Sequence, residues 1–343
     1  MNRFNINREV RIMEICGTHT MSILRSGIKQ LLPDNIKLIS GPGCPVCVTG
    51  QGYIDAAIEL SNIENIIITT FGDMINIPGN KSSLILQRAL GRDIRIVYSP
   101  LEAVEIARRN PKNEVVFLGI GFETTAPTIA VAIEQSYIKE IDNFTVFSSL
   151  KTMPEVIRML ISDKEVQIDG IICPGHVSTI IGETAFSFIS NEFNIPSVIA
   201  GFEDKDVVAG IYLLLDMIRE GKHNQNNIYS RFVKKEGNKK AKELMDKVFR
   251  GCNSKWRGIG LIENSGLKIR ESYGGYDAEL KFNIKIEDTP PIKGCICGNI
   301  LKGQKTPLDC KLFGRECIPS SPIGVCMVSR EGACGIHYRY FNE

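Results

Sequence analysis

Between about residue 10 and residue 220, short runs rich in Val and Ile alternate with amphipathic segments, and this alternation restricts the fold more than any other property of the chain. A strand covered on both faces reads as a continuous apolar run, whereas the helices that cover it repeat with a period near 3.6. The order predicts an α/β fold with a parallel sheet. Strands are expected at VRIMEI, IKLIS, NIIITT, DIRIVYS, EVVFLGI, NFTVFSS, GIICP and PSVIAG. Helical patterns follow most of them: GYIDAAIELSN, SSLILQRAL, PLEAVEIARRN, PTIAVAIEQSYIKE, PEVIRMLISD and DVVAGIYLLLDMIRE. Eight strands can form one wide sheet or two of about four.

An internal echo favours two. IKLISGPGCPVC leads through a helix to NIIITTFGD, and GIICPGHVS leads in the same order to PSVIAGFED; the generic likeness of any two βαβ units is the rival explanation. The expected organisation is two Rossmann-like, doubly wound parallel-sheet domains over residues 1–112 and 113–225, with the break near Asn110-Pro111-Lys112-Asn113. After Gly221 the pattern changes. A polar linker and a charged helix (KHNQNNIYSRFVKKEGNKKAKELMDKVFR) precede irregular strand and turn, so residues 226–343 form a third unit, a linker helix followed by a small C-terminal domain. The run KKEGNKKAKE reads as a solvated helix face.

The charge is nearly balanced, 41 basic against 39 acidic residues, which gives no general attraction for nucleic acid or anionic lipid. The longest apolar stretches are too short to span a bilayer, and the N-terminus is too polar for a secretory signal, so a cytoplasmic protein is expected. Eleven cysteines without an export signal argue for reactive thiols or metal ligands rather than a disulfide framework. Six of them (Cys295, Cys297, Cys310, Cys317, Cys326 and Cys334) crowd the C-terminus.

The other unusual residues share one location, the loop just after an expected strand: Cys16-Gly-Thr-His19, Cys44 and Cys47, Gly121-Phe-Glu123, Cys173-Pro-Gly-His176, and Gly201-Phe-Glu203. In open α/β sheets binding sites form beyond the carboxyl ends of strands, so these loops should face a common cleft. Two residues between Cys44 and Cys47 let both sulfurs sit on one turn, either to bond each other or to grip one metal. No second pair follows at zinc-knuckle spacing, which favours a thiol and disulfide couple, its first cysteine activated by a helix N-terminus.

Cys16 and His19 fall on one face of a first helical turn, where the imidazole is expected to lower the thiol pKa; the alternative is a small buried Cys beside a hydrogen-bonded His. For the repeat of that spacing at Cys173 and His176, His176 is the preferred site residue. Glu123, Glu203 and Asp73 can serve as acids, bases or acceptors, or simply as helix caps.

CGTHTMSI, GPGCPVCVT, FGDM, GFETTAPT, CPGHVSTIIG and GFED, in this order, resemble the motif set of the HypD family of nickel-iron hydrogenase maturation proteins, and the likeness runs from about residue 12 to the C-terminus. The resemblance implies pairing with a small HypC-type chaperone and then a HypE-type cyanide donor, to assemble an iron carrying two cyanides and one carbon monoxide. It implies that Cys16 holds that iron with a cysteine of the chaperone, that Cys44 and Cys47 form a redox-active pair, and that His19 assists. It also implies a C-terminal 4Fe-4S cluster. The family spacing C-x14-C-x6-C-x16-C is met by Cys295, Cys310, Cys317 and Cys334, leaving Cys297, Cys326 and His337 spare. A structural zinc site is the competing reading, and Cys252 is expected only to pack.

Joined together, these features predict a redox-active assembly scaffold in which the tail's cluster and the Cys44–Cys47 pair exchange electrons while Cys16 presents iron. The rivals are a thiol-dependent transferase or hydrolase using Cys16 with His19 or Cys173 with His176, and an iron-sulfur thiol-disulfide oxidoreductase. No GxGxxG or P-loop fingerprint supports a nucleotide-dependent reading.

Overall fold

The structure is a computed structural model and describes residues 6–287 and 292–340. Its strands are β1 (Val10–Glu14), β2 (Ile36–Ser40), β3 (Ile66–Thr70), β4 (Ile94–Ile96), β5 (Glu114–Gly121), β6 (Phe144–Lys151), β7 (Gly170–Cys173), β8 (Ser197–Ile199), β9 (Gln225–Asn227), β10 (Phe249–Trp256) and β11 (Gly260–Ile269). The first eight coincide with the apolar runs of the sequence. All five residues of β3 and seven of the eight of β5 are buried, as a strand covered on both faces requires.

The strands form two sheets. One is wholly parallel, in the order β2-β1-β7-β8-β9, and the other runs β10-β11-β6-β5-β3-β4. In the second sheet β4, β3, β5 and β6 are parallel, while β11 joins β6 antiparallel and β10 pairs with β11 as a hairpin. The α/β class and two parallel-stranded layers are therefore as expected, with one sheet mixed.

The expected break at 112/113 does not separate the sheets. β1 and β2 lie before it yet pair with β7, and β3 and β4 lie before it yet pair with β5. The chain starts one sheet, leaves it after β2, builds the parallel part of the other, and returns at β7. Strand periodicity is local, whereas pairing is a long-range choice that periodicity does not encode. The echo is corrected with it: β2 and β3 belong to different sheets, whereas β7 and β8 are neighbours, so the two Gly-Pro-Cys units are not counterparts. The correspondence that exists sets β1, β2, β7 and β8 against β3, β4, β5 and β6. Each set has the doubly wound order second-first-third-fourth.

Residues 226–343 also divide differently. The polar linker contributes β9 to the first sheet, and the stretch read as irregular strand and turn is the β10–β11 hairpin that widens the second. Beyond it, short helices at Cys297–Leu301, Val325–Val328 and Ala333–Tyr340 carry Cys297, Cys326 and Cys334, and the last packs against the helix Gly17–Arg25. Among the described residues no helix is long and apolar enough to cross a membrane.

Candidate functional site

In the first sheet the chain order reverses between β1 and β7, and a crevice opens there at the carboxyl ends because the following connections leave in opposite directions. Cys16 follows β1 and His176 follows β7. Cys16 is the N-cap of helix Gly17–Arg25, in extended conformation, and its Sγ lies 3.9 Å from His176 Nδ1. The imidazole beside the thiol is thus His176, not His19. His19 is fully buried, and its Nε2–H donates to the carbonyl of Gly201 at 3.1 Å, since a carbonyl can only accept. Both rings stack on Phe202, at centroid distances of 4.5 Å for His19 and 4.0 Å for His176.

Burial sets the protonation. It depresses His19 to about 4 and pulls His176 down as well, so both rings are neutral near pH 7. Neutral rings cannot stabilise a neighbouring thiolate by charge. Burial, aided by the carboxyl of Glu331, pushes the Cys16 thiol up to about 12, against weaker donors from Thr18 and His19. The expectation of a ready thiolate at Cys16 is therefore overturned for the protein by itself.

The Cys44–Cys47 loop lies directly on this crevice. A Cβ on Gly43 would fall 2.3 Å from the carbonyl oxygen of Ile15 and 2.7 Å from Cys16 Cα, so only glycine permits this approach. Cys44 and Cys47 are joined as a disulfide, with Cα atoms 5.2 Å apart. The helix they open, Pro45–Val48, is four residues long, too short for the activating dipole expected at its N-terminus. Hydrogen bonds converge on Cys44 Sγ instead: the Cys47 N–H at 3.1 Å and the Ser329 hydroxyl at 3.3 Å, which must donate because a disulfide sulfur carries no hydrogen.

The acidic residues separate. Glu123, at the end of β5, is buried with Oε1 accepting from the Met153 N–H at 2.8 Å and Oε2 unpartnered, and burial raises it to about 7. Glu203 turns to solvent and pairs with Lys205 at 2.8 Å, away from the crevice. Glu14, which sequence reasoning passed over, lies buried beneath the loop. Thr20 Oγ1 donates to it at 2.6 Å, Oε2 has no partner, and burial raises it to about 8. A lone carboxylate inside the apolar strand VRIMEI was its visible signal. Glu331, also missed, accepts from Thr18 Oγ1 at 3.3 Å. Cys173 packs in the core, its thiol raised to about 12 by burial.

The tail brings its cysteines together. Cys295, Cys297, Cys310, Cys317 and Cys334 line one small cavity, and the wholly buried Cys326 adjoins Cys297. A Cβ on Gly324 would meet Cys295 Sγ at 2.8 Å and Cys297 Sγ at 3.1 Å, so the backbone there closes over sulfur. Cys297 is central: the neighbouring thiols of Cys295, Cys326 and Cys334 favour its ionised form and hold it well below the usual thiol range. Among the described residues no three His, Cys, Asp or Glu side chains converge on a point as ligands of one metal ion do. That geometry is not what a cubane asks of its ligands, because each thiolate binds a different iron and the sulfurs stand apart. A lining of five cysteines set among apolar residues, without a carboxylate or an imidazole, fits such a group.

Between the tail and the disulfide loop lies Arg257, half-buried at the tip of the β10–β11 hairpin. Its Nε donates to the Thr49 carbonyl at 2.7 Å and its Nη1 to Gln51 Oε1 at 2.8 Å.

Residues 1–341 match the family model described as "HypD: Hydrogenase formation hypA family". The chain is 44% identical over 341 residues to "Hydrogenase maturation factor HypD2" of Bradyrhizobium diazoefficiens, covering 96% of this chain and 89% of that protein. It is 43% identical to "Hydrogenase maturation factor HypD" of Rhodobacter capsulatus, over 97% of this chain and 90% of that one. The protein of that name from Escherichia coli K12 is 40% identical, covering 98% of this chain and 91% of its own length. With similarity of this extent running through the crevice, the disulfide loop and the cysteine tail alike, the chain belongs to the HypD family of hydrogenase maturation factors.

Proposed function

We propose that the protein is a redox-active scaffold on which the iron centre of a nickel-iron hydrogenase is assembled, in the cytoplasm and together with a HypC-type chaperone and a HypE-type cyanide donor. The cargo is an iron carrying two cyanides and one carbon monoxide, held between Cys16 and a cysteine of the chaperone. The observation that carries this reading is convergence. Gly43 sets the disulfide loop on the Cα of Cys16, and Ser329 ties the same loop to the cysteine-rich tail.

Cys16 must lose its proton to hold a metal, and in the crevice His176 Nδ1, neutral and 3.9 Å away, is placed to receive it. Thr18 and His19 act in the direction that favours the ionised sulfur and offset part of the cost of burying its charge. His19 holds the wall of the crevice through Gly201 and Phe202 rather than touching the thiol. Cys295, Cys310, Cys317 and Cys334 would hold the tail's 4Fe-4S cluster, with Cys297 among them. When bound, such a cluster supplies or accepts electrons singly. A turnover thiol-disulfide oxidoreductase is disfavoured, because Cys44 is 3% and Cys47 0% exposed and neither sulfur is open to a protein substrate.

The test is anaerobic purification with the HypC-type chaperone, followed by iron and sulfide analysis and infrared spectroscopy. Cys16→Ala should keep the cluster absorption and lose the bands of metal-bound carbon monoxide and cyanide, whereas Cys310→Ala should lose the cluster absorption. Retention of the diatomic bands in Cys16→Ala would overturn the proposal.

A further inference from the structure

The disulfide is held asymmetrically. Cys44 Sγ accepts two hydrogen bonds, from the Cys47 N–H and the Ser329 hydroxyl, while among the described residues Cys47 Sγ accepts none. Ser329 is itself 2% exposed, and its oxygen accepts the Glu331 N–H at 3.3 Å, which fixes the hydroxyl and polarises its proton toward Cys44. Water cannot replace these donors at a buried sulfur. Ser329 also stands on the segment between Cys326 and Cys334, so the contact joins the disulfide to the tail.

We propose that Ser329 is a positioning residue of the Cys44–Cys47 pair: its hydroxyl, with the Cys47 N–H, holds the negative charge on Cys44 when the disulfide opens. Cys44 is then the thiolate of the reduced pair and Cys47 the thiol. With a dithiol as reductant, the S–S bond breaks and two electrons and one proton enter the pair. The proton goes to Cys47 Sγ, and the reductant closes to its own disulfide and releases its second proton to solvent. Hydrogen bonds to an ionised sulfur are stronger than those to a disulfide sulfur, so the Ser329 hydroxyl favours the reduced state. This inference rests on the redox role proposed above for the pair.

The test equilibrates the full-length protein with dithiothreitol redox buffers, traps free thiols by alkylation and counts them at Cys44 and Cys47 by mass spectrometry. In Ser329→Ala the equilibrium constant for reduction should fall about tenfold, a shift of about 30 mV for a two-electron couple, with the melting temperature as control. Ser329→Thr, which keeps the hydroxyl, should remain near wild type, and Ser329→Val, its isostere without one, should behave as Ser329→Ala. The Thr and Val pair carries the comparison if the alanine variant does not fold. Equal potentials in Thr and Val would overturn the role of Ser329 while leaving the redox pair standing. A wild-type disulfide that no buffer reduces would instead overturn the redox role itself.

Discussion

Replacing Gly43 by alanine tests the arrangement on which the site depends. The added Cβ would lie 2.3 Å from the Ile15 carbonyl oxygen and 2.7 Å from both Ile15 C and Cys16 Cα, all backbone atoms that cannot swing aside. Since such contacts are essentially never closer than 3.0 Å, the loop must retreat by at least the difference, 3.0 − 2.3 = 0.7 Å. Overpacking of this kind costs about 1–3 kcal/mol, offset by about 0.4–1 kcal/mol because alanine restricts the unfolded chain. The net loss should be about 1–2 kcal/mol, or roughly 0.5 M in the urea midpoint for m-values near the upper end of the usual range. Iron retained with the chaperone should fall as well, because the disulfide loop is displaced from Cys16. Gly50→Ala is the control: that position, just past the same short helix, has φ −61° and nothing within 4 Å of the new Cβ. If Gly43→Ala unfolds at the same urea concentration as Gly50→Ala, the loop does not rest on Cys16 and the reasoning fails.

Glu14 supplies a pH signature. Its folded pKa of about 8 stands above the unfolded value near 4.5, so the folded state binds the extra proton, and this contribution, full below pH 4.5, is lost as pH rises through 8. Glu14→Gln should remove a falling slope of at most about 1.4 kcal/mol per pH unit across that window, and parallel stability curves for the two proteins would refute it. His19 acts with the opposite sign: depressed to about 4 from 6.5, it stabilises above pH 6.5 and that contribution is lost as pH falls through 4. Arg257→Met should cost about 3 kcal/mol by stripping donors from the Thr49 carbonyl and Gln51, and should speed amide exchange at residues 48–51. An unchanged urea midpoint would show that Arg257 does not fasten the hairpin to the loop.

The identity of the reactive residues could be read directly from the chain, because composition at strand ends is local: Cys16, His176, Cys44 and Cys47 stood out as polar or thiol groups in loops after apolar runs. The roles of neighbours could not. His19 is three residues from Cys16 and looked like its partner, yet it bonds Gly201, while His176, 160 residues away, approaches the thiol. Ser329 and Arg257 carried no signal, since a serine or an arginine is unremarkable until its surroundings are known. Glu203 looked like the twin of Glu123, but solvent claims one and the core the other.

Local order along the chain is enough to specify the first eight strands, the helices between them and the placement of the unusual residues beyond strand ends, because hydrophobic period and turn chemistry act over a few residues at a time. Three outcomes arise in the assembled fold alone: the chain weaves two sheets instead of finishing one before starting the next, burial raises the Cys16 thiol, and the tail touches the disulfide. Those outcomes depend on contacts between segments far apart in the chain, and on the low polarity such contacts create, neither of which any local stretch of amino acids specifies.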